Sequence, residues 1–155
     1  MHISTVYKLT KANLSTYNNY QYVVGQDHEF SGDGELCGPG WSHAYLSPEL
    51  AVFMNPIHAA FPAPRLWRCD GIIGKSDYDL KVGCSRIRLV EEMPLPMPTM
   101  NQRVAFAIGC VYALNSTSAS WRAWADAWLD GSDREASAAA SAAASAARAA
   151  APAAA

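Results

Sequence analysis

The chain has 155 residues, half of them apolar, with a net charge of −2 and a pI near 6.0. That length suits one ordinary domain with a real core, and the weak acidity is a poor match for tight binding to nucleic-acid phosphates. The longest strongly apolar run, Val104 to Leu114, is about half the roughly 20 residues a membrane-spanning helix needs, so no membrane partner is expected.

Val6 to Lys8 opens a short strand, Asn13 to Asn19 reads as a loop, and the alternating aromatic and β-branched run Tyr20 to Val24 predicts a second strand ended by Gly25. Leu36 to Pro48 concentrates glycine, proline, aromatic, histidine, cysteine and hydroxyl groups. Gly38 and Gly40 flank Pro39 and permit a bend, beyond which Trp41, Ser42, His43 and Tyr45 present polar and aromatic groups. Ser47 caps a helix with Pro48 in its first turn, and Pro56 is expected to end or bend that helix early. After a turn at Pro62 and Pro64, Arg65 to Ile73 and Lys81 to Glu91 read as strands. The second has a bulge near Ser85, and Gly74 to Asp79 forms a polar connection between the two.

Met93-Pro94-Leu95-Pro96-Met97-Pro98 suits neither regular element and forms an extended strap between a sheet-rich front and a helical back. Thr99 caps a helix whose apolar residues Val104, Ala107, Ile108, Val111, Tyr112 and Leu114 recur at three- and four-residue spacing, and this helix is expected to pack on the sheet. Hydroxyls from Ser116 to Ser120 cap a further helix, with Trp121, Trp124 and Trp128 on one face. Asp130-Gly131-Ser132-Asp133 closes it, and an alanine-rich tail with Ser137, Ser141 and Ser145 four apart is expected to be helical. The fold class is therefore α+β: a small, twisted, mostly antiparallel sheet, a short helix after residue 47, two C-terminal helices and the tail. Residues 1–98 form the sheet-rich domain, 99–131 a helical part packed on it in the same globular unit, and 132–155 the low-complexity tail.

Four cysteines, Cys37, Cys69, Cys84 and Cys110, lack any Cys-x-x-Cys pairing and read as mostly buried thiols of a reducing compartment. No secretory pattern opens the chain, so a cytoplasmic setting is expected. Cys37, His43, His58 and Cys69 are zinc-ligand types, but their spacing fits no familiar finger, and no metal is expected. Cys37 with His43 resembles a thiol and its base without the third, orienting group. Glu91 and Glu92 close a strand on opposite faces, so one can enter a cleft. Asp77 and Asp79 flank Tyr78 and read as solvated. Arg65, Arg68, Arg86 and Arg88 can line a sheet face that holds a phosphate, a carboxylate or an acidic partner, or that is simply the wet side of the sheet. The tryptophan stripe suits a core. It also suits an interface, because the sheet is small and its cover limited.

The pattern Tyr7-Lys8, Tyr22 to Gly25, Cys37-x-x-Gly40-x-x-His43-Ala44, Pro48 and a Lys81-to-Glu91 strand resembles a family of short domains of uncharacterised function found in bacteriophages and prophages. It covers residues 6 to 96 and implies a phage-associated accessory protein in the host cytoplasm. A looser, fold-level resemblance is to ADP-ribosyltransferase-like domains, which run strand, glycine-containing turn, short strand, helix and further strands with a late glutamate. That resemblance implies a transferase using a nicotinamide dinucleotide (NAD), with Glu91, Glu92, Ser42 and His43 as catalytic residues and Tyr7, Lys8, Trp41 and Tyr45 around the ligand. The leading expectation is a protein that binds a host or phage macromolecule as an inhibitor and needs no cofactor. Trp121, Trp124 and Trp128 are its expected interface, and the helical back and tail could join copies of the chain. The alternatives are the NAD-dependent transferase and a nucleotide or small-ligand binder.

Overall fold

The computed structural model describes residues 2–113 and 118–135. Leu114, Ser116 and the tail from 136 onward, including Ser137, Ser141 and Ser145, lie outside the described residues. The chain divides into two compact units, Met1–Met97 and Pro98–Ala155.

The first unit is a mostly antiparallel sheet with one helix. Its elements are β1 (Ser4–Thr10), β2 (Asp27–Glu29), β3 (Ser42–Ala44), α1 (Pro48–His58), β4 (Arg65–Asp77) and β5 (Lys81–Met93). The order is β1-β4-β5-β2, and β3 shares the outer edge of β5 with β2. The sheet is open, yet its ends approach: Tyr7 and Tyr45 exchange two backbone hydrogen bonds of 2.8 Å, drawing the end of β3 against the free side of β1. The core on the inner face is built from alternate residues, among them Val6, Cys69, Val82, Cys84, Ile87 and Leu89. Full burial of a residue such as Ile87 or Leu89 contributes about 1.5–3 kcal/mol.

Lys81–Met93 carries the foreseen bulge: Ile72 pairs with Arg86 and Ile73 with Cys84, leaving Ser85 as the extra residue. Gly74 to Asp79 differs from its expected role as a connection. β4 continues to Asp77, and only Tyr78, Asp79 and Leu80 turn the chain, the first two with left-handed φ of 47° and 61°. Left-handed turn residues usually announce themselves as glycine or asparagine; here Ser76 Oγ holds the turn instead by accepting the Asp79 N–H at 3.1 Å.

Tyr20 to Val24 is also not a strand. Only Tyr22 is buried, and the segment folds back on residues 14–16 through Thr16 N–H to Tyr20 O and Tyr22 N–H to Leu14 O. The edge of β5 goes to Asp27–Glu29, whose charged side chains face Arg88 and Arg86; an edge so short and polar has no apolar alternation to read. Pro56 lies inside α1 rather than ending it. Lost near a helix end, one backbone bond costs little, and Asn55 fastens the exit by bonding both Phe61 N–H and Phe61 O at 3.1 and 3.0 Å. Ser47 caps α1 by accepting from Leu50 N–H at 3.1 Å.

The second unit contains α2 (Met100–Ala113) and α3 (Ala119–Asp130). Thr99 and Gln102 form a reciprocal capping box at the start of α2. Ser118 caps α3, and Gly131, at φ 87°, ends it. No helix among the described residues is long and apolar enough to cross a membrane.

Candidate functional site

Pairing of β3 with β5 sets Ser42 against Cys84, His43 against Gly83 and Ala44 against Val82. Strand alternation turns Ser42 and Ala44 inward, and Ser42 Oγ meets the Tyr22 hydroxyl at 2.8 Å. Lys8 also points inward, 6% exposed, donating from Nζ to His43 O at 2.7 Å and lying 5.0 Å over the Tyr22 ring. Burial pushes the Cys69 thiol up to about 12 and Cys84 to about 11, against a smaller opposing pull from Lys8, so both are neutral thiols.

On the other side of β3, His43 Nε2 hydrogen-bonds Leu36 O. Burial lowers the His43 pKa, opposed by that bond and assisted by Lys8, Lys81 and His58. Tyr45 hydroxyl and His58 Nδ1 are 3.1 Å apart with their rings stacked, and burial raises Tyr45 to about 12. Burial and then Lys81 lower His58, with Asp77 opposing. Lys81 Nζ donates to Cys37 Sγ at 3.0 Å. Cys37 is exposed, which corrects the expectation of mostly buried thiols at this position: the glycine-rich turn carries it out from the sheet.

The corner residues expected around a ligand are thus occupied with one another. Lys8, Trp41 and Tyr45 are buried, Trp41 Nε1 donates to Gly34 O at 3.2 Å, and Tyr7 is held by its bridge to Tyr45. The two glutamates lie elsewhere. Glu91 and Glu92 are eight and nine residues farther along β5 than Gly83, roughly 25–30 Å at the rise of an extended strand. There they pair with Arg68 at 3.2 Å and with Arg65 in a fork of 2.7 and 2.5 Å. Ser42 and His43 therefore share no cleft with either glutamate. Arg88 forks onto Asp27 at 2.8 Å twice, so three of the four arginines bind carboxylates of the chain itself; Arg86 makes no ion pair among the described residues. A depression of about 60 Å³ beside Arg86, Arg88, Asp27 and Asp70 is far smaller than the roughly 300–1,000 Å³ of a small-molecule pocket. Among the described residues no three metal-ligating side chains converge, Cys37, His43, His58 and Cys69 included.

Trp121 and Trp128 are buried within the helical unit itself, clustered with Ile108 and Ala125, and Trp124 packs against that cluster. The enclosed Trp124 Nε1 has no hydrogen-bond partner among the described residues.

A different surface emerges between β1 and β2. Ala12 to Gln26 contains no charged residue but three tyrosines and three asparagines. Tyr17 is 74% exposed, Val23 50% and Val24 44%, although the backbone beneath them is closely tied. Lys11 N–H bonds Ser15 O, Gln21 Nε2 reaches Asn13 O at 2.6 Å, and Gly25 N–H bonds Leu89 O on β5. Buried His28 accepts Val23 N–H at Nε2, which leaves Nδ1 to donate to the Tyr20 oxygen at 3.1 Å. Asn18 and Asn19 take left-handed φ of 56°, a conformation asparagine tolerates better than most residues. The absence of charge over this stretch is the one mark in the sequence that could have pointed to it, and the reading of a loop followed by a strand passes over it. Set beside known proteins, the chain matches no family model, no curated protein and no solved structure.

Proposed function

We propose that the chain is a binding protein, a phage-type accessory protein that engages a host or phage protein through the 17–24 loop and inhibits it. One observation carries this reading: an uncharged, tyrosine-rich loop with exposed Tyr17, Val23 and Val24 on a backbone already held by internal hydrogen bonds. Interface centres are depleted of charge and enriched in tyrosine, whose rigid ring offers contact area at small entropic cost. A loop ordered before binding loses less freedom on association. The resemblance of residues 6 to 96 to short phage domains supports the choice of a host or phage protein as partner.

The test is capture from host-cell lysate by the immobilised full chain, in parallel with a Tyr17→Ala, Val23→Asp variant. Both side chains are exposed, so the variant is expected to fold. A specific protein retained by the wild type and bound about 30-fold or more weakly by the variant supports the reading, since a central contact is worth about 2 kcal/mol or more. Equal capture by both, or none by either, defeats it.

A further inference from the structure

Lys81 opens β5 with 6% of its surface exposed, and its ammonium makes a single hydrogen bond among the described residues, to Cys37 Sγ at 3.0 Å. Its register partner Asp77 forms no ion pair with it. A buried ammonium is usually surrounded by oxygen acceptors for its three N–H groups, and here the one hydrogen bond it makes among the described residues goes to a sulfur. The residues on either side of Cys37 are in turn held at three points. Gly38 N–H closes a turn onto Glu35 O at 2.8 Å, with Leu36 and Cys37 at its centre. His43 grips the neighbouring Leu36 carbonyl, and the Leu36 side chain lies so close over Gly83 that a Cβ there would stand 2.6 Å from it. Cys37 is exposed, and its sulfur lies 3.0 Å from the Lys81 nitrogen.

We propose that Cys37 and Lys81 form a modification site whose co-substrate is a hydroperoxide and whose product is a sulfur–nitrogen cross-link. In the first step the Cys37 sulfur attacks hydrogen peroxide. An S–O bond forms, the O–O bond breaks, sulfur loses two electrons, and water leaves, giving a sulfenic acid. In the second step the Lys81 ammonium releases one proton to solvent and its nitrogen attacks that sulfur. The S–N bond forms, the S–O bond breaks, and the hydroxyl departs as water with a second amine proton, leaving a sulfenamide and no further change in oxidation state. The other thiols are excluded by position. Cys69 and Cys84 are fully buried in the core, and Cys110 is half-buried on α2 with no amine hydrogen-bonded to it among the described residues. The link ties the glycine-rich loop to β5 across a separation of 44 residues and so restricts the unfolded chain as a disulfide does.

The full chain, reduced and then treated with stoichiometric hydrogen peroxide, is followed by intact mass and peptide mapping. The expected product is lighter by two hydrogen atoms, joins the Cys37 and Lys81 peptides, melts at a higher temperature and reverts with a dithiol. Lys81→Arg keeps the charge but should give no link and instead leave a sulfenic acid at Cys37 that a dimedone probe captures. If that variant does not fold, Cys37→Ser serves, with loss of the link as its expected result. A wild type that stops at the sulfenic acid overturns the proposal, and so does a disulfide between Cys37 and another cysteine, which has the same mass but a different map.

Discussion

His43 and His58 lie near like charges: Lys8, Lys81 and His58 act on His43, and Lys81 acts on His58, with Asp77 alone opposing there. Burial is the larger cause in both, and both fall below the usual 6.5. The folded protein then binds fewer protons than the unfolded chain once pH drops under 6.5, so stability declines through the window from 6.5 down to the folded values and is level above it. The urea midpoint should therefore fall between pH 7.5 and pH 5, and His43→Gln with His58→Gln should flatten that decline; a midpoint that rises on acidification contradicts this. The corner holding His43 was legible from Gly38, Pro39 and Gly40, because such a run can hardly be anything but a bend. The direction of Lys8 was not. A lysine between apolar neighbours reads as an outward residue, and only the closure of β1 against Tyr45 gives its ammonium the His43 carbonyl and Tyr22 ring indoors.

Helix starts were the most legible elements, since Ser47, Thr99 and Ser118 each place a hydroxyl where the first free N–H groups need an acceptor within a few residues. Strand ends depended on distant partners instead. Asp27–Glu29 becomes β2 because Arg86 and Arg88 lie across from it, whereas the better-patterned Tyr20 to Val24 finds no free edge. The β4–β5 hairpin reaches Asp77 because Trp41, from a loop more than thirty residues earlier, needs bare backbone beneath it. A Cβ at Gly74 would stand 2.5 Å from the Trp41 ring, and one at Gly83 3.1 Å from it. Gly74→Ala should thus destabilise the protein by about 1–3 kcal/mol in urea unfolding, through forced movement of a packed ring. In a Trp41→Leu background the same substitution should cost less than half as much; an equal cost would place the strain elsewhere.

At the scale of the molecule, the boundary near Met97 falls in the proline-spaced strap: Met93 still belongs to β5, opposite Leu66, and from Pro94 to Pro98 the backbone enters neither helix nor sheet. A chain of residues 1–97 is expected to unfold in one cooperative urea transition with the wild-type sheet signal in circular dichroism, and to keep partner capture, since Tyr17, Val23 and Val24 belong to this unit. A non-cooperative transition would show that the sheet depends on residues beyond Met97. By itself the sequence determined the α+β class, the helix caps and the Ser85 bulge, because each depends on residues within a turn or two of one another. Tertiary structure alone decided that the glutamates stand far from Ser42 and His43, that Lys81 turns to Cys37, and that the tyrosine loop is presented rather than buried. Those outcomes rest on strand register and on which edge each segment finds open, and neither is encoded in local spacing.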